Sequence, residues 1–290
     1  MPRFIPKEYR NMATLDDYRD REHWSFSALN QFLNICSLQF YFDRIAKLPK
    51  AFTPVSLSFG SAFHRAMEWM HLVRKEGGQP DEGEARDLFR DLWSREVQED
   101  KKIRFDEEIT EDMCSTQGAD LVAAYLKAAD PEEQVIEVNE AFAVPLIDVQ
   151  GNVIEKPMVG ELDCRVSKAG TMTIVDWKTS ARRWPKDQAD KSLQPTVYLY
   201  GYRQLHAQDV PMRFDVVVKN KTPVVEQHVT RRTEDQFHRM VELVKVVENM
   251  IAAEHWLPSE QSFYCASCPH AEACRAWHRD TARVSVRMAA

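Results

Sequence analysis

The chain has 290 residues, 44% hydrophobic and 29% charged, enough for one large domain or two small ones at roughly 100–200 residues each. A chain of this size buries a core without staples, which excludes a disordered, collagen-like or small disulfide-scaffold protein. The net charge of −7, from 38 basic and 45 acidic residues, excludes a histone-like protein that coats nucleic acid by bulk charge, but not an enzyme with a local basic channel.

Residues 1–24 are polar and weakly patterned and read as an arm. Ser25 or Ser27 can cap a helix, and Leu29, Phe32, Leu33, Cys36 and Phe40 follow at helical spacing. The pattern predicts one helix to about Lys47, stopped before Pro49. A second runs from near Ser58 to about Lys75, where Gly77-Gly78-Gln79-Pro80 breaks it. Two more are expected over 84–101 and 108–129, closed by Pro131. The pattern then turns to strands: Val135–Val144, Val159–Val166 and Thr171–Trp177, the last two joined by a short turn at Lys168-Ala169-Gly170. A helix over 189–206 follows, then a hairpin of Phe214–Val218 and Val224–Val229, an amphipathic helix over 233–254 and a cysteine-rich tail. The expected class is α/β: a helical part over 25–130, a mixed sheet with flanking helices over 131–256, and a tail over 257–290. The longest apolar run, Ala141–Ile147, is far short of the about 20 residues of a membrane span. Residues 1–8 lack the apolar core of a signal peptide. A cytoplasmic protein with no membrane partner is expected. No Gly-x-x-x-x-Gly-Lys-Ser/Thr motif is present, so no P-loop motor is expected.

The stretch Val159-Gly160-Glu161-Leu162-Asp163 … Asp176-Trp177-Lys178 concentrates the chemistry. With Ala169-Gly170 as a two-residue loop, Asp163 stands opposite Asp176. Side chains alternate along a strand, so Glu161 shares a face with Asp163, and Lys178 with Asp176. Like charges directly opposed are destabilising, and a divalent cation held by hard oxygen ligands relieves them. Charges on strands are commonly a solvated face, but Met172, Ile174, Val175 and Trp177 mark this strand as buried, where a bare Asp-x-Lys is costly.

Six cysteines are present, and in a reducing compartment structural disulfides are not expected. Cys265, Cys268 and Cys274 fall within ten residues, a spacing that points to zinc or an iron–sulfur cluster. Both want a fourth ligand, and His278 and Cys36 are the two available. Cys114 and Cys164 read as ordinary core residues.

Asp163 followed by Asp176-Trp177-Lys178 resembles the Asp … (Asp/Glu)-x-Lys core of the PD-(D/E)XK nuclease superfamily. Three further segments narrow the resemblance to its RecB-like members. Phe59-Gly60-Ser61-Ala62-Phe63-His64 resembles their Gly-x-x-x-His motif, Gln194-Pro195-Thr196-Val197-Tyr198 their Gln-x-x-x-Tyr motif, and Ser25-Phe26-Ser27 their Ser-x-Ser helix entry. Pro195 departs from the pattern and places Gln194 at the start of its helix. The resemblance spans about residues 25–275 and implies the nuclease-type mixed sheet in a single domain over 25–290. It implies His64, Asp163, Asp176 and the Trp177 carbonyl as ligands of Mg²⁺ or Mn²⁺. It implies Lys178 as the group that orients water or stabilises charge, Gln194 and Tyr198 as supports of Lys178 or contacts to the DNA backbone, and Glu140 as an outlying carboxylate. Relatives of the AddB and CRISPR-adaptation kinds tie an N-terminal cysteine to a C-terminal trio. That pattern favours Cys36 over His278 and a 4Fe–4S cluster, closing the tail onto the first helix.

Arg182, Arg183, Trp184 and Lys186 follow the second carboxylate strand, and Lys219, Lys221, Arg231 and Arg232 come from the next strands. Basic residues with an interleaved tryptophan suit single-stranded nucleic acid. The expected activity is a metal-dependent DNA exonuclease acting on single-stranded ends, in recombination, repair, phage DNA metabolism or CRISPR adaptation. With no motor of its own it is expected either to act alone or to work with a separate helicase or a recombination or CRISPR-adaptation protein. The alternative is a nuclease-like module that grips DNA ends within a larger complex with little turnover.

Overall fold

The computed structural model describes Tyr18, residues 21–260 and residues 263–288, with the backbone alone at 263 and 281–288. Most of the expected arm, residues 1–24, lies outside that set. Its last residue is no arm: Trp24 is buried and its backbone brackets β4 (Met158–Lys168) through bonds with Pro157 and Val159.

The single helix expected over 25–47 is two. Helix α1 (Phe26–Asn30), capped by Ser25, loosens into a π-turn over Gln31–Ile35. Cys36 then turns extended (φ −170°) and its sulfur accepts from the Gln39 N–H, starting α2 (Ser37–Phe40), which ends in a second π-turn over Tyr41–Ile45. The helical layer that follows is α3 (Val55–Lys75), α4 (Glu82–Glu99) and α5 (Glu111–Ala128), the last two capped by Asp81 and Thr110. A two-residue parallel pair, β1 (Thr53–Pro54) with β2 (Ile103–Arg104), has no pattern long enough to foresee.

The main sheet comprises β3 (Gln134–Val144), β4, β5 (Thr171–Ser180), β6 (Met212–Val218) and β7 (Val224–Thr230), in the order β3-β4-β5-β6-β7. Within it only β5 and β6 run parallel, as a crossover connection requires. That crossover holds α6 (Gln188–Lys191) and α7 (Gln194–His206) in place of the one helix expected over 189–206. Pro195 has no N–H for the Lys191 carbonyl, so the helix stops and restarts with proline in its first turn. Helix α8 (Glu234–Ala252), entered by a Thr233/Gln236 capping box, follows β7, and the tail carries a further helix, α9 (Ala271–Met288).

Adjacent strand residues feed two cores, as alternation demands. Ile174, Phe214 and Val216 join one beneath α7, α8 and α1. Val175, Trp177 and Val217 join the other beneath α3, α4 and α5. The fold is therefore α/β, a mixed five-stranded sheet flanked by helices. No helix among the described residues is long and apolar enough to cross a membrane.

Two features shape the middle of the sheet. Ala169 and Gly170 both take positive φ (48° and 78°), the two-residue type I′ loop that matches strand twist. The resulting ladder runs from Lys168↔Thr171 to Cys164↔Val175 and stops there. Beyond it β4 stays with β3 and β5 stays with β6, so the sheet forks at Asp163 and Asp176. Opposite Asp163, Asn139 adopts φ 56°, a conformation that asparagine tolerates. On either side of this point Leu162 and Cys164 belong to different cores, as do Phe142 and Val138: the alternation of both strands reverses at Asn139 and Asp163.

Helix α7 approaches the fork closely because two glycines cradle Phe142. A Cβ on Gly160 or Gly201 would come within 2.5 Å of the ring, which is fully buried and has nowhere to turn. Gly201→Ala is expected to lower stability by about 1–3 kcal/mol, read as a fall in denaturation midpoint. Gly60→Ala, where an added Cβ meets nothing within 4 Å, is the control and should show no such fall. A midpoint unchanged in Gly201→Ala would contradict the packing described.

Candidate active site at the sheet fork

The fork gathers side chains from both helical layers. Asp163 points its Oδ2 at the Trp177 backbone N–H (3.2 Å), a bond that replaces the missing ladder rung. The same oxygen lies 3.2 Å from His64 Nδ1 on α3. Asp176, fully buried, accepts a hydrogen bond from Gln194 Nε2 on Oδ1 (2.5 Å) and faces the Lys178 ammonium with Oδ2 (2.7 Å). Tyr198, one turn along α7, packs its ring on Phe142 (6.2 Å between rings). His64, Asp163, Asp176, Trp177, Lys178, Gln194 and Tyr198 thus meet in one place. Gln194 sits on Asp176 rather than on Lys178, a correction to one of its expected roles.

The electrostatics follow from burial and from the two carboxylates. Burial pushes Asp176 up to about 6, with Asp163 adding to the rise and Lys178 opposing it. Burial acts the same way on Asp163, but the His64 bond and charge outweigh it and hold Asp163 below its usual range. Burial lowers His64 and Lys178, yet the neighbouring carboxylates win in both cases and leave them raised. Burial and the same two carboxylates push the Tyr198 hydroxyl well up.

A divalent cation fits this donor set: two carboxylates, hard oxygen ligands of the kind that suit Mg²⁺ or Mn²⁺, with a borderline imidazole beside them. One carboxylate oxygen, Asp176 Oδ2, is buried with only the Lys178 ammonium against it. The groups are nonetheless not drawn together as a finished cage. Among the described residues no group of three or more His, Cys, Asp or Glu side chains stands close enough to hold an ion. Lys178 occupies the Asp176 side and His64 the Asp163 side, each neutralising the carboxylate it touches.

Several expected residues lie elsewhere. Glu140 is taken up by Arg165 Nε (2.8 Å) on β4 and His206 Nε2 (3.0 Å) on α7, rather than standing at the carboxylate pair. Trp184 packs on Phe214 (5.2 Å between rings) and His228, and so is no free stacking platform. Arg183 pairs with Glu226. Arg232 is no phosphate contact either: its guanidinium bonds the carbonyls of Ala189, Asp190 and Ser192 and the hydroxyls of Thr196 and Thr230. It fixes the end of α6 to the start of α7, and so sets Gln194. Lys219 stands over the Phe59 ring (3.7 Å), and burial lowers its pKa. Arg182, Lys186, Lys221 and Arg231 are exposed.

Sequence reasoning missed the group behind Trp177: Tyr125, His71, Asp215, Arg213 and Glu133. Tyr125 and His71 lie within helices expected from the pattern, and no local spacing links Tyr125 to a strand 90 residues away in the chain.

The tail folds back. Ser37 Oγ bonds the backbone of Leu257, His270 Nε2 lies 2.8 Å from Asp43 Oδ1, and the Ala51 N–H donates to the Pro269 carbonyl. Cys36, Cys265, Cys268 and Cys274 line one cavity of about 290 Å³ that His278 also borders. Burial, and the repulsion these thiols would exert on one another as thiolates, hold Cys268 and Cys274 above the usual thiol range. Among the described residues, however, no three of these side chains stand close enough together to hold an ion, so a bound group at this cavity is not shown. Cys114 and Cys164 are buried in the core as expected.

The sequence profile of the PD-(D/E)XK nuclease superfamily matches residues 23–275. No curated protein matches the chain. A solved structure from Eubacterium rectale, named as a candidate exonuclease, aligns with 91% of this chain and 93% of its own at 12% identity and a TM-score of 0.49. Another, named SSO0001, aligns with 47% of this chain and 57% of its own at 15% identity and a TM-score of 0.33. Likenesses at that level add nothing to the family match.

Because Asp176 must lose its proton to bind a cation, Mn²⁺ affinity is expected to fall as pH drops below about 6. The raised pKa also means that Asp176 favours the metal-free fold at low pH and that this contribution is lost as pH rises through about 6. In thermal melts Asp176→Asn is expected to be stabilised above pH 6 without metal and to gain nothing from Mn²⁺. A variant that Mn²⁺ still stabilises would show the cation sitting elsewhere.

Proposed function

The chain belongs to the PD-(D/E)XK nuclease superfamily, and we propose that it is a metal-dependent DNA exonuclease of the RecB-like kind, acting on single-stranded ends. The observation that carries this reading is the pair Asp163 and Asp176 at the fork, with Lys178 against the second carboxylate. In this reading residues 25–290 work as one nuclease domain.

His64, Asp163, Asp176 and the Trp177 carbonyl would hold Mg²⁺ or Mn²⁺. A bound divalent cation supplies Lewis-acid polarisation of the phosphate and lowers the pKa of water. Gln194 holds one oxygen of Asp176 and so presents the other, Oδ2, to the fork. The Trp177 N–H orients Asp163 in the same way. Lys178 keeps its proton, raised by the two carboxylates. When DNA enters, that ammonium is free to turn from Asp176 to the phosphate, where charge builds as the phosphodiester is hydrolysed. The exposed Arg182, Lys186, Lys221 and Arg231 supply non-specific phosphate contacts.

The same reading gives the tail a 4Fe–4S cluster on Cys36, Cys265, Cys268 and Cys274, supported by their sharing one cavity. Its part is structural, joining the tail to the segment that holds α1 and α2. A cytoplasmic setting suits such a group, and a separate helicase or recombination or CRISPR-adaptation protein would supply the ends.

Anaerobically purified protein is expected to degrade end-labelled linear single-stranded DNA with Mg²⁺ or Mn²⁺ and to spare closed circles. Lys178→Ala should reduce the rate by about 100-fold or more. Cutting of circles would replace the exonuclease reading with an endonuclease one. DNA binding without cleavage would leave an end-gripping module. Iron with acid-labile sulfide, lost in Cys36→Ser, is expected on metal analysis; zinc in its place would overturn the cluster.

A further inference from the structure

Behind the fork lies a buried polar group that the proposed chemistry does not use. The Tyr125 hydroxyl on α5 accepts from the Trp177 indole Nε1–H (3.2 Å) and donates to Asp215 Oδ2 (3.0 Å). It also lies 3.3 Å from His71 Nε2, whose Nδ1 donates to the Met67 carbonyl (2.8 Å). All four side chains are at least 96% buried. Asp215 is the register partner of Trp177 on β6 and is held by Arg213, which Glu133 holds in turn. Burying hydroxyl, imidazole and carboxylate is costly unless each is bonded, and an apolar filling of the volume of a buried ion pair is often no less stable. What the group secures is position.

The residues that face the fork come from separate elements. Asp163 is on β4, Trp177 on β5 and His64 on α3. Asp163 is oriented by the Trp177 N–H, so fixing the Trp177 ring fixes the donor that aims Asp163. His71 lies about two helical turns beyond His64 and thus on the same face of α3, with its ring 4.7 Å from the Trp177 ring. One hydroxyl therefore touches both the strand that anchors Asp163 and the helix that carries His64. We propose that Tyr125 is a positioning residue: through Trp177 and His71 it sets the spacing of Asp163 and His64, and so the affinity of the fork for a divalent cation. The claim rests on the nuclease reading only in taking the fork as the cation site.

The test uses the full chain and Mn²⁺ alone, with binding measured by titration calorimetry. Tyr125→Phe removes one hydroxyl and leaves the ring, and is expected to weaken Mn²⁺ binding about 10-fold, as loss of a supporting group does. Trp177→Phe, which removes the partner N–H, should do the same. Because Tyr125→Phe already removes the bond that Trp177→Phe removes, the double variant should be little worse than Tyr125→Phe alone. In DNA cleavage kcat should fall with KM for DNA unchanged. A lowered melting temperature with Mn²⁺ affinity within about twofold of wild type would reduce Tyr125 to a structural role and overturn the proposal, as would losses that multiply in the double variant. Should Tyr125→Phe not fold, Trp177→Phe alone decides by the same criterion. Wild type that binds Mn²⁺ and cuts no DNA defeats the nuclease reading while the affinities still decide this one; wild type that binds no Mn²⁺ overturns both.

Discussion

Two carboxylates placed side by side in a protein interior repel each other and lose their hydration, and the fold is arranged around that cost at Asp163 and Asp176. The strain is met in three ways. The sheet parts between β4 and β5 where the pair sits, so the carboxylates occupy a fork instead of a ladder rung. Each carboxylate has its own neutralising partner, His64 for Asp163 and Lys178 for Asp176. Each also accepts a hydrogen bond that fixes one oxygen, from the Trp177 N–H and from Gln194. A site that needs this much support suits a ligand of opposite charge, and in the proposed reading a divalent cation would supply it.

The supports reach well beyond the residues that face the fork. Arg232 commits its whole guanidinium to the α6–α7 junction and so places Gln194. Phe142, wedged between Gly160 and Gly201, sets how close α7 comes to the sheet. On the other face Tyr125 ties α3, β5 and β6 together behind Trp177. The tail returns to the α1–α2 segment by protein bonds of its own, Ser37 with Leu257 and His270 with Asp43; the four cysteines line one cavity there, but among the described residues no three of them stand close enough to hold an ion.

How much of this could be read from the sequence depended on the range of the interactions. The β4–β5 register was legible because Ala169-Gly170 leaves a two-residue loop little choice, and every pair from Lys168↔Thr171 to Cys164↔Val175 follows it. The order of strands and helices was legible from periodicity, and the place of Gln194 at a helix start from Pro195. The break at Cys36 was not, because apolar spacing continues across it and the turn depends on the sulfur capping α2. Arg232 reads in the sequence as a nucleic-acid contact beside Arg231, since the groups that bind it come from residues 189–196 and 230. Trp184 reads as a base-stacking side chain for the same reason: its partners Phe214 and His228 arrive from strands later in the chain. Asn139 carries no signal of its left-handed turn beyond being an asparagine, yet it marks where the alternation of β3 and β4 reverses.

The most direct test is the location of Mn²⁺ by anomalous diffraction from crystals of the wild-type protein, grown above the pH of about 6 at which Asp176 ionises. The account predicts a peak at the fork, in contact with Asp163 and Asp176, with the Lys178 ammonium withdrawn from Asp176 Oδ2. A peak away from both carboxylates, or none while Lys178 keeps its contact, would contradict it.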